Sequence, residues 1–199
     1  MKNRQKIILA SESPRRKYLL EQAGINFSVE PAEIKEERTA LESPGEYVKR
    51  LSFEKARYIA AKHPETWTLG ADTVVVMDNH LLEKPDSTED AIEMLKFLSN
   101  KTHTVYTGFT LCSRQKNRVI TKIVTTDVLF KKLTLQEIQW YVSTGEPFDK
   151  AGAYAIQGLG TFIVKSITGS YTNVVGLPVC EVIETLIAEK IIEINPRRR

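Results

Sequence analysis

The sequence is poor in the residues that build disulfides and thiolate or imidazole metal sites. It contains only two cysteines and three histidines in 199 residues. Cys112 and Cys180 lie far apart without metal-ligand spacing, which favours two reduced, buried thiols over a disulfide. The histidines are scattered along the chain, so a histidine-based zinc site is not expected.

Long apolar runs are also missing. The apolar stretch near the N-terminus, Ile7–Ala10, is too short for a signal peptide. No stretch reaches the about 20 apolar residues that a membrane-spanning helix requires. We therefore expect a cytoplasmic protein without a membrane partner. With 42% apolar and 27% charged residues, the chain has the composition of a globular protein. We expect a single domain over residues 1–199, with the basic tail 196–199 frayed at its end.

Excess charge and the common phosphate-binding motifs are likewise absent. The net charge is +3, which is compatible with anionic ligands but gives little support to a nucleic-acid partner. Neither GxxxxGK[ST] nor GxGxxG occurs, so the common phosphate-loop classes are not supported.

The chain does contain alternating strand and helix patterns. Strands are predicted at residues 6–10, 27–29, 68–77, 80–82, 102–112, 118–130 and 162–165. Helices are predicted at residues 15–23, 43–62, 89–98, 135–142 and 178–192, with a polar turn at 169–173. This order predicts an α/β fold: a mixed, twisted sheet with flanking helices and a long antiparallel hairpin around residues 113–117.

One carboxylate, Asp72, interrupts an otherwise apolar strand at residues 68–77. An ionised carboxylate in a strand buried on both faces costs several kcal/mol unless it is paired or bound to a metal. Gly70 would let another backbone or a ligand approach closely just before it. A carboxylate that caps a turn or a helix N-terminus is the alternative interpretation.

Two arginines lie at the start of the first predicted helix. Ser13 is a good N-cap and Pro14 suits the first helical position, so the free backbone N–H groups at this end form an anion site. Arg15 and Arg16 oppose the helix dipole there, which favours placement for an anionic ligand over a solvated surface pair.

Further polar residues interrupt or end buried elements. Lys55 lies on or beside the apolar stripe of helix 43–62. Its stem could be buried with the head exposed, or the head could point at whatever Asp72 faces. The charged stretch 35–42 reads as an exposed loop, and the small residues of 149–160 would let the backbone crowd a ligand. The candidate site residues are Ser11, Arg15, Arg16, Glu33, Lys55, Asp72, Lys84 and Gln157. Cations combined with carboxylates suit a polyphosphate bound with a divalent metal.

Several motifs in this chain occur together and in order in one known family. They are Ser11-Glu12-Ser13-Pro14-Arg15-Arg16, Tyr47-Val48-Lys49-Arg50-Leu51, Glu54-Lys55-Ala56, Gly70-Ala71-Asp72-Thr73, Glu83-Lys84-Pro85, Asp149-Lys150-Ala151-Gly152-Ala153-Tyr154-Ala155-Ile156-Gln157-Gly158 and Gly169-Ser170-Tyr171-Thr172-Asn173-Val174-Val175-Gly176-Leu177-Pro178. In these motifs the chain resembles the Maf, or septum-formation-inhibitor-like, family of nucleoside triphosphate pyrophosphatases.

The resemblance implies a fold and an activity. The fold would be an elongated, inosine triphosphate pyrophosphatase-like sheet, with two lobes around a central cleft. The activity would be hydrolysis of a nucleoside triphosphate to the monophosphate and pyrophosphate, with Mg²⁺ or Mn²⁺, by a homodimer. Asp72 matches the proton acceptor that activates water for attack at the α-phosphorus.

The resemblance also assigns roles to the other candidates. Arg15, Thr73 and Gln157 match the branch that acts on dTTP, UTP and modified pyrimidine triphosphates. From the chemistry of the residues themselves, phosphate binding would fall to Ser11, Arg16, Lys55 and Lys84, and metal binding to Glu33 and Asp72. Glu33 could instead hydrogen-bond to the substrate, and the sequence does not separate metal binding by Asp72 from proton abstraction by it. The family suggests a housecleaning role and a link to cell-division arrest. The alternative is a regulatory nucleotide- or nucleic-acid-binding protein that acts on septum formation without turnover.

Overall fold

A computed structural model describes residues 1–37 and 42–194. The predicted frayed tail at 196–199 and part of the predicted loop 35–42 lie outside these residues. The chain divides into two compact units. The first comprises Met1–Asp72, Thr107–Val124 and Gly176–Arg199, and the second comprises Thr73–Tyr106 and Thr125–Val175.

The described elements follow the predicted alternation. The strands are β1 (Lys2–Asn3), β2 (Ile7–Ala10), β3 (Ser28–Val29), β4 (Trp67–Met77), β5 (His80–Leu82), β6 (Thr102–Ser113), β7 (Arg118–Phe130), β8 (Val164–Thr168) and β9 (Ile192–Glu193). The α-helices are α1 (Pro14–Gln22), α2 (Pro44–Lys62), α3 (Thr88–Leu98), α4 (Leu135–Ser143), α5 (Tyr171–Val175) and α6 (Val179–Ala188). None of the helices in the described ranges is both long and apolar enough to cross a membrane.

The sheet is mixed, as predicted. Its strands follow the order β3-β2-β4-β6-β7-β8, with β5 paired to β4. Strand β2 is parallel to β3 and β4, whereas β5 is antiparallel to β4 and β8 is antiparallel to β7. The neighbours β6 and β7 are joined by only four residues, which forces the antiparallel hairpin expected from the sequence.

The core of the first unit forms between the parallel strands and α2. Ser43 and Glu46 form a capping box at the start of α2, so its register is fixed by local signals. Ile59 of α2 packs against Ile8 and Ala10 of β2, and all three side chains are buried. The parallel register places Ala10 opposite Gly70, which aligns the carboxyl-terminal end of β2 with the middle of β4.

The second unit has its own apolar core. Buried residues of α3, α4 and the strands form one cluster, and Val75, Leu95, Phe130 and Tyr141 are among its members. The segment between α4 and β8 folds into short 3₁₀ turns at Glu146–Asp149, Ala151–Ala153 and Gly158–Phe162. The sequence had indicated only irregular, closely packed backbone for residues 149–160.

Three boundary predictions are wrong. The strand expected at 162–165 begins at Val164, because Phe162 belongs to a 3₁₀ turn closed by the Ile163 N–H to the Gly160 carbonyl at 3.0 Å. The polar turn expected at 169–173 contains the start of α5, which Ser170 caps by accepting from the Asn173 N–H. The helix expected to reach residue 192 ends at Ala188.

The early end of α6 has a backbone cause. Lys190 adopts a positive φ of 56°, and the Ile191 N–H returns to the Leu186 carbonyl at 2.9 Å. This closing turn redirects the chain into β9, which pairs with β1. The sequence predicted neither of these strands, because two residues are too few to show a periodic pattern.

Candidate active site

A close contact between α2 and β4 in the first unit forms the centre of the candidate site. A Cβ atom at Gly70 would lie 2.3 Å from the Ser52 carbonyl oxygen and 2.6 Å from the Ala56 nitrogen. Only glycine permits this approach of strand to helix. Lys55 lies between these two helix residues in sequence, and Asp72 follows Gly70 by two residues, so the contact brings the two side chains together.

Lys55 bridges two carboxylates. Its Nζ donates to Asp72 Oδ1 at 2.7 Å and lies 2.8 Å from Glu36 Oε1. Lys55 is only 7% exposed and Asp72 only 6% exposed. The lysine head is therefore not solvated, and Asp72 pairs with a cation in mid-strand rather than capping a turn.

Helix α2 also holds the segment that carries Glu36. The Tyr47 hydroxyl donates to the Glu36 carbonyl at 2.8 Å, and Arg50 donates to the Glu37 carbonyl at 3.0 Å. Sequence reasoning missed Glu36, because no local pattern distinguishes it from Glu37 in a charged stretch. Glu33, the predicted metal ligand, is exposed in the same segment.

The electrostatics of the site are dominated by burial. Burial raises the pKa of Asp72 above its ordinary value, although the charges of Lys55 and Arg16 act in the opposite direction. Burial likewise lowers the pKa of the Arg16 guanidinium, and the charge of Asp72 partly offsets this effect. A carboxylate in these surroundings is a better proton acceptor than an exposed aspartate, provided that the neighbouring cations keep it ionised.

The N-terminus of α1 supplies Arg16 in a fixed position. Ser13 caps the helix, as predicted. Ser11 Oγ accepts from the Ser13 N–H at 3.2 Å and from Arg16 Nη1 at 3.1 Å. Arg16 Nε donates to the Gly176 carbonyl at 2.8 Å. These bonds, together with partial burial, show that Arg16 is not a solvated surface residue.

The structure links four of the nine predicted site residues. In the first unit, Arg16 donates to Ser11, Lys55 donates to Asp72, and the charge of Arg16 acts on Asp72. Arg15 is half-buried in the first turn of α1. The remaining candidates, Thr73, Lys84 and Gln157, belong to the second unit.

The second-unit candidates occupy different local settings. Thr73 is half-buried in β4, and Lys84 is exposed after β5. Gln157 is half-buried and immediately precedes a 3₁₀ turn. The carbonyl of Glu83, which lies between β5 and Lys84, accepts from the Gly152 N–H at 3.0 Å. The end of β5 therefore contacts the segment that leads to Gln157.

The residues suit a metal held by few protein ligands. Within residues 1–37 and 42–194, no group of three or more histidine, cysteine, aspartate or glutamate side chains could hold a metal ion. Asp72 and Glu36 nevertheless face the same cationic atom, Lys55 Nζ. Mg²⁺ commonly uses one or two carboxylates and takes its other ligands from water and substrate phosphates.

The fold and the site together define an α/β protein with a buried carboxylate among cations next to a helix N-terminus, a combination that suits a phosphorylated ligand. The comparisons with known proteins specify the class further. The model of the Maf-like protein family matches residues 6–189, and the chain therefore belongs to the Maf family.

Its relatives are similar over nearly their whole length. A dTTP/UTP pyrophosphatase of Syntrophus aciditrophicus is 52% identical over 182 residues, which cover 92% of this chain and 89% of the relative. A dTTP/UTP pyrophosphatase of Geobacter sp. (strain M21) is 51% identical, with 94% of this chain and 96% of the relative covered. A solved structure, that of a HAM1 protein from Coxiella burnetii, is 15% identical to this chain and has a TM-score of 0.48. The match covers 93% of this chain and 99% of the HAM1 chain.

Proposed function

We propose that this chain hydrolyses dTTP, UTP and modified pyrimidine nucleoside triphosphates to the monophosphate and pyrophosphate. The observation that carries the proposal is the buried Asp72 carboxylate, held at 2.7 Å by Lys55 and influenced by the charge of Arg16. The names of the relatives support the substrates, because about half of all positions are identical over almost the full chain.

In the proposed reaction, Asp72 is the proton acceptor. Its carboxylate takes a proton from water as the water oxygen bonds to the α-phosphorus. The bond from the α-phosphorus to the oxygen that bridges it to the β-phosphorus breaks, and pyrophosphate leaves with that electron pair. The raised pKa of Asp72 strengthens the carboxylate as a base, and Lys55 favours its ionised form.

Cationic side chains would neutralise the triphosphate. Arg16 is pre-oriented by Ser11 and the Gly176 carbonyl, so little conformational freedom is lost when it binds an anion. Arg15, Lys55 and Lys84 would contribute further positive charge as phosphate ligands. Thr73 and Gln157 would select the base: a threonine is small enough for a pyrimidine ring, and an amide can hydrogen-bond to a base edge.

We propose Asp72 and Glu36 as the residues that would hold a divalent metal such as Mg²⁺ or Mn²⁺. Both carboxylates contact Lys55 Nζ, at 2.7 Å and 2.8 Å, and therefore lie close to each other. Glu33 stays a predicted ligand. A bound divalent cation would lower the pKa of a coordinated water and offset phosphate charge. The protein residues would orient the triphosphate and hold the proton taken from water on Asp72.

We further propose that the chain acts as one catalytic domain in the cytoplasm and forms a homodimer. The family model spans both compact units, which supports a single domain. Light scattering on the purified chain would measure the oligomeric state directly.

An activity panel with one variant pair tests the proposal. Purified protein is incubated with dTTP, UTP, CTP and 7-methyl-GTP in Mg²⁺ or Mn²⁺, and pyrophosphate and orthophosphate are measured separately. Pyrophosphate release from dTTP and UTP is expected. Asp72→Asn should lower turnover by about 100-fold or more, whereas Asp78→Asn, a matched change in the exposed turn after β4, should leave it unchanged.

Four results would count against the proposal. Orthophosphate as the product would contradict the site of attack, and a preference for 7-methyl-GTP would contradict the substrate class. Nucleotide binding without turnover in either metal would favour the regulatory alternative. Near-normal activity of Asp72→Asn would remove Asp72 from the role of base.

A further inference from the structure

The short segment that carries Gln157 is held by two side chains from an adjacent part of the second unit. The Tyr141 hydroxyl, on α4, accepts from the Ala155 N–H at 3.1 Å. The Glu146 carboxylate, just after α4, accepts from the Leu159 N–H at 2.9 Å and from the Gly160 N–H at 3.0 Å. Gln157 therefore lies between two anchored stretches of backbone.

The two anchoring side chains are bonded to each other. The Tyr141 hydroxyl donates to Glu146 Oε1 at 2.8 Å. Burial would raise the pKa of Glu146, but the hydrogen bonds from Leu159, Tyr141 and Gly160 outweigh it and lower the pKa overall. Burial, reinforced by Glu146, raises the pKa of Tyr141 above its ordinary value. Tyr141 thus remains a neutral donor and Glu146 a charged acceptor across the physiological pH range.

The backbone of the segment lies directly on this pair. Gly158 has a φ of +69°, and a Cβ atom there would lie 2.5 Å from Glu146 Oε2. A Cβ atom at Gly160 would lie 2.7 Å from the Tyr141 hydroxyl oxygen. At Gly160 the added atom would also lie 2.4 Å from the Ala155 carbonyl oxygen, so a side chain there would clash with backbone as well as with Tyr141. Glycine at both positions lets the backbone pack closely against the pair.

The residues before Gln157 are fixed as well. The Gly152 N–H donates to the Glu83 carbonyl at 3.0 Å, and the Tyr154 hydroxyl hydrogen-bonds to His103 Nε2 at 2.8 Å. Tyr154 is buried, whereas Gln157 is half-buried. The network therefore fixes the backbone on both sides of the amide side chain that, in the proposed function, selects the base.

We propose that Tyr141 and Glu146 are positioning residues that orient Gln157 and thereby set the selectivity for the pyrimidine base. This inference rests on the proposed function, in which Gln157 contacts the base. Neither side chain needs to touch the nucleotide. An amide distinguishes a carbonyl from an amino group on a base only if it is held in orientation. Loss of that orientation removes binding energy that the ground state and the transition state share, which raises KM and leaves kcat unchanged.

The test uses two conservative variants and two substrates. Tyr141→Phe removes the hydroxyl at constant ring size, and Glu146→Gln replaces one acceptor oxygen by an amino group that faces backbone donors. For both variants we expect KM for UTP to rise by about 10- to 100-fold with little change in kcat, and the preference for UTP over CTP to fall. The matched control Glu93→Gln, at an exposed ion pair with Lys96, should change neither KM for UTP nor the preference for UTP over CTP.

Two further measurements separate positioning from general stability. Amide exchange in a peptide covering residues 155–160 should be faster in both variants, whereas exchange in α3 should be unchanged. In a Gln157→Ala background, Tyr141→Phe should cause no further loss of selectivity, because the side chain that it orients is gone.

The outcomes distinguish the inference from the proposed function. If the wild-type chain does not turn over UTP, the proposed function fails and the inference falls with it. If the wild type is active but the variants keep the UTP preference despite faster exchange, only the inference is overturned. A loss of selectivity that persists in the Gln157→Ala background, or a fall in kcat at constant KM, would also overturn it.

Discussion

Acidification should destabilise the protein through one buried histidine. His103 is only 2% exposed, hydrogen-bonds to the Tyr154 hydroxyl and packs edge-on against Phe130 at a ring distance of 4.8 Å. Burial lowers the pKa of His103 to about 4, and the charge of Asp127 only partly opposes this effect. The folded protein therefore keeps His103 neutral at pH values where an unfolded chain protonates it.

The sign and size of the effect follow from this difference. Between pH 6.5, the ordinary value, and about pH 4, the unfolded state binds one proton more at His103 than the folded state does. The free energy of unfolding therefore falls as the pH falls through this window. Each unit of pKa difference is worth about 1.4 kcal/mol, so the full loss is about 3 kcal/mol.

Urea unfolding at several pH values from 4 to 7 measures this loss. His103→Gln keeps a polar partner for Tyr154 but cannot titrate, so the difference in stability between wild type and variant should change by about 3 kcal/mol across the window. The control His80→Gln, at an exposed position next to a turn, should show the same pH dependence of stability as the wild type. A wild-type-minus-His103→Gln difference that stays constant with pH would refute the reasoning.

Two further predictions concern the contact between α2 and β4. Gly70→Ala should destabilise the protein by about 2 kcal/mol or more in urea unfolding, because the new methyl group would lie 2.3 Å from helix backbone. The control Gly45→Ala should be neutral or slightly stabilising, because its methyl group would lie 3.6 Å from a side chain. Lys55→Met should cost about 3–5 kcal/mol by leaving Asp72 buried without its cation. Adding Asp72→Asn should recover most of that loss, and the exposed Lys49→Met on the same helix should cost little. A Lys55→Met protein as stable as the wild type would contradict the buried pair.

Local signals explain which elements could be predicted. Ser13 and Pro14 mark the start of α1, and the capping box of Ser43 and Glu46 marks the start of α2, so both helices begin where the sequence indicates. The predicted start of β8 and the predicted end of α6 were wrong. In both places the backbone follows a closing turn whose hydrogen bonds join residues three or five apart, and residue periodicity contains no signal for such turns.

The same distinction applies to the candidate site. Asp72 could be found because an ionised group in an apolar strand needs a partner, and Lys55 because it lies near an apolar stripe. Glu36 could not be found in this way, since its position depends on bonds from α2 to a segment outside any regular element. Tyr141 and Glu146 were missed for a similar reason: their partners are backbone N–H groups, which every residue except proline has.

Main-chain packing and side-chain hydrogen bonds differ in how readily a mutation can alter the residue that they place. Asp72 is placed by main-chain packing at Gly70, where any added side chain strikes helix backbone. A substitution there threatens the fold of the first unit and the proposed chemistry together. Gln157 is placed by side-chain hydrogen bonds from Tyr141 and Glu146, which single conservative substitutions can weaken without creating a clash. Base selectivity should therefore change more readily by mutation than the proposed hydrolysis, because the first depends on replaceable side chains and the second on backbone contact.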